Sequence, residues 1–223
     1  LSNPAILTGS DNTMNGLNAT AGTVSYDWLP VNDGGTVEAG FGTDSLYFTR
    51  LVAGCRTESA FLGRSLALQV SSAFSSSDGT IDNGDHRFQR FGARFQLVGN
   101  GGQTDLFAGY QRKEYGWPGM YTGNAAYPEY EDYEVALLVF NHTQKYGDGS
   151  NWSFGAYGRK FLDDYELNRD IPGYYRPYEH ETRVGGAALE GQHNMDAGFR
   201  VDWRVEGQCD EIRSSDLTYA DFM

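Results

Sequence analysis

Asp78, Asp82, Asn83 and Asp85 stand close together in a glycine-containing stretch, residues 75–86. Oxygen donors at such spacing suit a hard cation, so Asp78, Asp82 and Asp85 are candidate Ca²⁺ ligands. The stretch lacks the residue order of a helix–loop–helix calcium loop, with its glycine and terminal glutamate, and a solvated polar loop is the competing reading. A second group is aromatic: residues 115–130 hold Trp117, Met120, Tyr121, Tyr127 and Tyr130, and Tyr174, Tyr175 and Tyr178 follow later. Clustered aromatic side chains on a loop can capture a small molecule, which makes Trp117, Met120, Tyr121, Tyr127, Tyr174 and Tyr175 the candidate ligand-binding residues. The competing reading is an interfacial aromatic belt with ordinary loop packing. Catalysis would need a nucleophile and a base within reach of each other. His86, His142, His180 and His193 are scattered, and the carboxylates Glu129, Glu131, Asp132, Asp163 and Asp164 read as solvated strand ends. No catalytic residue is assigned, no enzymatic activity is expected, and no cofactor beyond loop calcium is implied. Cys55 and Cys209 lie far apart and form no metal-ligand spacing.

Such groups need elements to position them, and the composition points to strands. The 223 residues include 15 Tyr, 13 Phe and 29 Gly but only 6 Pro. Aromatic and β-branched residues favour strands, and abundant glycine favours turns and tight bends. The net charge of −13 argues against a nucleic-acid partner, which needs clustered Lys and Arg. No stretch approaches the ~18 apolar residues of a membrane helix, a test that a transmembrane barrel passes unnoticed.

From Thr36 onward the dominant pattern is period two. In residues 197–206, Ala197, Phe199, Val201, Trp203 and Val205 share one face, while Arg200, Asp202, Arg204 and Glu206 share the other. Leu66, Leu68 and Val70 split in the same way from Gln69 and Ser71, as do Phe91 and Phe95 from Arg90 and Arg94. Residues from Trp152 onward repeat the split with Arg159 on the polar side. Residues 104–114 and 131–145 read as less cleanly split strands, and 179–192 as a weaker one. About nine strands of roughly 9–14 residues result, longer than the ~5–6 of soluble sandwiches and long enough for the ~9–11 of a membrane span. Short glycine-rich or polar turns at 99–102, 147–150 and 193–196 alternate with longer loops at 76–86, 115–130 and 166–178. The connection at 55–63 falls among the short turns but reads as longer than they are. That asymmetry suits a barrel with short periplasmic turns and long outer loops. The apolar set, including Leu66, Leu68, Val70, Phe91, Phe95, Phe199, Val201 and Trp203, is expected to face lipid, and the charged set the lumen.

Residues 1–35 differ. Leu7-Thr8-Gly9-Ser10-Asp11, Gly16-Leu17-Asn18-Ala19 and Ala21-Gly22 form small-residue turns, then residues 23–29 read as a short strand. Val31-Asn32-Asp33-Gly34-Gly35 reads as a linker into Thr36-Val37-Glu38-Ala39-Gly40-Phe41-Gly42, the first long strand. The opening Leu1-Ser2-Asn3-Pro4 reads as mid-protein sequence. This order resembles the end of the plug domain and the first barrel strands of TonB-dependent outer-membrane receptors. The stretches 107–116 and 152–165 are similar to strand-to-loop passages of that family. The resemblance implies an all-β fold: a partial antiparallel up-and-down transmembrane β-barrel (residues 36–223) preceded by a plug remnant (residues 1–35). It also implies import across the bacterial outer membrane of a scarce ligand, such as a metal chelate (siderophore) or cobalamin. The implied partners are outer-membrane lipid, that small molecule and TonB of the energy-coupling complex. The alternatives are a passive porin or autotransporter barrel, and a soluble all-β carbohydrate-binding module.

Overall fold

The computed structural model describes residues 5–7, 23–25, 28–61, 63–147, 149–171, 178–195 and 198–215. Two short strands, β1 (Ala5–Leu7) and β2 (Thr23–Ser25), pair antiparallel with each other. Nine further strands form one antiparallel sheet: β3 (Gly34–Phe41), β4 (Tyr47–Phe61), β5 (Arg64–Ser77), β6 (His86–Gly99), β7 (Gly102–Gly116), β8 (Tyr130–Tyr146), β9 (Ser150–Glu166), β10 (Tyr178–Asn194) and β11 (Arg200–Ser215). Each lies beside its neighbours in sequence, and among the described residues β3 and β11 are the two edges of a sheet that is not closed. No helix occurs among the described residues.

Local chemistry explains the connections. Asn100 and Gly101 both have positive φ, 54° and 72°, the conformation that lets a two-residue turn follow the twist of its strands. The short connections all join strands at one end of the sheet, and residues 42–46, 78–85, 117–129 and 167–171 lie at the other. Four boundaries differ from the sequence reading. Residues 55–61 belong to β4, with an irregularity between Thr57 and Phe61, so the connection to β5 is tight and the apparent long turn disappears. Gly34 and Gly35 pair with Gly54 and Ala53, inside β3 rather than in a linker. β11 begins at Arg200 and runs to Ser215, later than read, with Phe199 in the preceding turn. β2 ends at Ser25, so Trp28 and Leu29 lie outside it. β8, β9 and β10 reach 17 residues each, longer than expected.

Register then fixes two faces, because directly opposed residues of an antiparallel pair point the same way. On the apolar face, Leu68 opposes Phe95, Phe95 opposes Leu106, and Leu106 opposes Phe140. Leu66, Val70, Phe91, Val201 and Trp203 share this face through the same registers. Ring contacts fringe it at the short-turn end, with His142 against Trp152 at 5.0 Å and His193 stacked on Trp203 at 6.2 Å. Toward the long loops the apolar band stops at a row of charges. Arg112 opposes Glu134, Lys160 opposes Arg183, and Glu181 opposes Arg213. Residues 112–116, 130–134 and 161–166 therefore lie beyond the band, on the loop side.

The opposite face is polar, and it holds the buried groups. Arg94, Gln96, Asp105 and Glu131 are buried there, with Glu129 buried in the adjoining loop, whereas the described buried hydrophobic residues are only Val31 and Ala67. Leu68, Phe91, Leu106, Leu138 and Val205 are exposed. The sheet is thus polar where covered and apolar where open, the reverse of a water-soluble domain.

Candidate functional site

The polar face carries two built sites. The first is a clamp around residues 28–31, which cross the face beneath β6 and β7. Arg94 and Asp105 form a buried ion pair through Nε at 2.9 Å and Nη2 at 2.6 Å. Gln96 donates to Asp105 Oδ1 at 2.9 Å, and Gln103 donates to Asp105 Oδ2 at 2.7 Å. The outer surface of this network holds main chain. Arg94 Nη2 donates to the Leu29 carbonyl at 2.7 Å, Gln103 Nε2 to the Trp28 carbonyl at 2.8 Å, and the Val31 amide to Gln96 Oε1 at 2.8 Å. The Trp28 ring lies over the Arg94 guanidinium at 4.7 Å and near Phe107 at 5.8 Å. Burial strengthens each bond, and every carboxylate oxygen of Asp105 is engaged.

The second site lies at the long-loop end, where alternation brings Tyr115, Glu131, Tyr133, Asp163 and Tyr165 to one face. Glu131, 2% exposed, accepts hydrogen bonds from Tyr115 and, at 2.5 Å, from the Tyr121 hydroxyl; Tyr133 bonds to it as well. Glu129, 1% exposed, accepts from the amides of Tyr121 (2.7 Å) and Thr122 (3.0 Å) and from the Thr122 hydroxyl (2.5 Å). Burial pushes the Glu129 carboxyl up, but these bonds outweigh it and hold the group below its ordinary range. Burial and the Glu131 bond push the Tyr121 hydroxyl up to about 12. These carboxylates are structural hubs, not the solvated strand ends that the sequence suggests.

A three-loop clasp closes this end. Both oxygens of Asp85 face the Arg169 guanidinium, whose carbon lies 4.6 Å from the centre of the Tyr130 ring. The Arg169 amide donates to the Pro128 carbonyl at 3.3 Å, and the Gly116 amide to that of Asp85 at 2.9 Å. A β-carbon at position 116 would collide with the Asn83 carbonyl, which is why glycine stands there.

Of the candidate ligand residues, Trp117, Met120 and Tyr121 are exposed around this clasp, and Tyr127 is half-buried in the same loop. Tyr174 and Tyr175 lie outside the described residues. The candidate calcium ligands are not drawn together: Asp85 faces Arg169, while the Asp78 amide donates to the Asp44 carbonyl at 2.8 Å. Among the described residues no group of three or more His, Cys, Asp or Glu could hold a metal ion. The clamp residues Gln96, Gln103 and Asp105 were not singled out by sequence. Their signal was Gln and Asp recurring at every second position of adjacent strands.

Asp163 gives a pH handle. Its Oδ1 is enclosed without a hydrogen-bond partner. Burial first, then repulsion from Glu131, push its carboxyl up to about 6, against an opposing pull from His180. The folded protein therefore holds this proton more tightly than the unfolded chain does, and stability falls as pH rises from about 4 to about 6. Urea midpoints of the wild type should drop across that window relative to Asp163→Asn, with the difference constant above it. A difference that stays flat with pH would show that Asp163 ionises freely.

These features define an all-β chain built as an open, nine-strand, up-and-down antiparallel sheet. No protein-family model matches the chain, and neither a curated protein nor a solved structure is similar to it.

Proposed function

We propose that the nine strands are part of the wall of a bacterial outer-membrane β-barrel, and that this wall belongs to a TonB-dependent receptor importing a scarce small molecule, a metal chelate or a cobalamin. The observation that carries the reading is the inversion of the two faces. A band of exposed apolar side chains, fringed by Trp152 and Trp203, lies opposite a face of buried polar groups. Lipid favours such a band on the outside, and a lumen tolerates the charges. From Trp152 to Lys160, β9 advances roughly 26 Å along the strand, which at a barrel tilt of ~40° covers about 20 Å of the ~25 Å band of such barrels. The long loops and their aromatic residues then stand on the outer side, where a ligand arrives.

The receptor is favoured over a passive porin by the clamp, which holds residues 28–31 against the polar face. In this reading the residues before Gly34 are the end of a plug and its linker, and TonB is the energy-coupling partner. The test is uptake by cells carrying the full-length protein with and without residues 1–30. Deletion should abolish specific, energy-dependent uptake and leave a leaky pore. Specific uptake that survives deletion would put the porin or autotransporter ahead, and recovery of the full-length protein in the soluble fraction would end both membrane readings.

A further inference from the structure

The net charge is −13, yet one region of the polar face is cationic. On the loop side of β4–β7, register builds two successive layers. In one, Arg50, Ala73, Arg90 and Gln111 lie side by side; in the next, Phe48, Ser75, Phe88 and Lys113 do. Neighbouring strands stand ~4.8 Å apart and same-face residues of one strand ~7 Å apart, so Arg90 and Lys113 sit within about 10 Å of each other. Ala73 and Ser75 make a low floor between larger walls, and these residues line a hollow of about 530 Å³.

Two of the cations here lack the carboxylate partner that many others on the sheet have. Arg94, Arg112, Arg169, Arg200 and Arg204 each face a carboxylate. Arg90 instead directs Nε and Nη2 to the neutral Gln111 Oε1, at 3.0 and 2.7 Å. Lys113 lies 5.7 Å from the centre of the Phe88 ring. Neither has a carboxylate partner among the described residues. Arg50 reaches Glu38 only at 3.5 Å, exposed to solvent. The nearby carboxylate of Glu131 is bound by tyrosines. In a strongly anionic protein, two unneutralised cations beside an aromatic wall are a recognition feature.

We propose that this hollow binds an anionic, oxygen-rich small molecule, with Arg90 and Lys113 taking its charged oxygens and Phe88 lying against its flat face. The role in import rests on the receptor reading; the binding chemistry does not. Within that reading the site selects an anionic oxygen-donor chelate over a neutral, amide-rich corrinoid.

The test is calorimetric titration of the complete protein in detergent with two probes of similar size: a ferric tris-catecholate complex, which is anionic, and a ferric tris-hydroxamate complex, which is neutral. The wild type should prefer the anionic probe. The double variant Arg90→Gln/Lys113→Gln should bind it about a hundredfold more weakly, roughly tenfold per charge removed, with the neutral probe unchanged. Arg90→Lys/Lys113→Arg should retain most of the affinity, which separates charge from misfolding. Equal affinity of the wild type for both probes, no binding of the anionic probe at millimolar concentration, or wild-type affinity in the double neutral variant would overturn the proposal. A membrane-embedded importer indifferent to the double variant would sink the anion site alone. A soluble protein whose anion binding depends on Arg90 and Lys113 would sink the receptor reading alone.

Discussion

Asp105→Ala is expected to destabilise the folded protein by about 3–5 kcal/mol, the cost of breaking a buried ion pair and leaving its partner charged and uncompensated. Asp105 is 1% exposed and accepts from Arg94, Gln96 and Gln103. Without it, Arg94 loses its counter-ion and both glutamine amides lose an acceptor, while residues 28–31 lose the base on which their grip stands. Urea unfolding of the refolded protein in detergent measures the loss. Replacing Arg94 and Asp105 together by methionine and leucine should recover a good part of it, because no isolated charge then remains. A loss below about 1 kcal/mol for Asp105→Ala would mean that water reaches the network and the clamp is weak.

Leu106→Arg is expected to cost about 2–4 kcal/mol in lipid vesicles and almost nothing if the sheet is bathed in water. Leu106 lies midway across the apolar band, opposed by Phe95 on one side and Phe140 on the other, and it is 41% exposed. For a water-soluble sheet, an Arg at such a position simply enters solvent. For a lipid-facing wall, it must be buried in hydrocarbon or bend toward an interface. Folding free energy in vesicles, measured by urea titration, separates the cases, and a cost under about 0.5 kcal/mol would remove the membrane reading.

Much of the sheet was legible because period-two alternation is a local property. Phe91 and Phe95 against Arg90 and Arg94 fix both a strand and its faces without knowledge of any partner strand. The ends were less legible. Residues 55–61 extend β4 through an irregularity whose pairing depends on β5, and β11 runs on past Glu206 where alternation weakens among Cys209, Asp210 and Glu211. The sites were least legible, since they arise from register between strands. Glu131 looks like any carboxylate near a loop until Tyr115 and Tyr133 are placed beside it. The acceptor role of Asp105 depends on Arg94 and Gln96 arriving from the neighbouring strand. The aromatic loop was found by composition, but its fastening through Arg169 required residues more than eighty positions apart to meet.

The clamp distributes mutational freedom unevenly. Of the four hydrogen bonds that it makes to the captured segment, all end on main-chain atoms: the carbonyl of Trp28, the carbonyl of Leu29 twice and the amide of Val31. Main-chain atoms are the same whatever side chain a residue bears. Leu29, whose side chain stands exposed, can therefore drift to almost any residue without loosening the hold, proline excepted where it would bend the path. Arg94, Gln96, Gln103 and Asp105 have no such latitude, because each one's donors or acceptors are already allotted. The hydrogen-bonded grip is written in the wall rather than in the segment it holds, so a gene could exchange the exposed Leu29 while the same four wall residues, with Trp28 packed on Arg94 and Val31 buried, continue to set the segment's position.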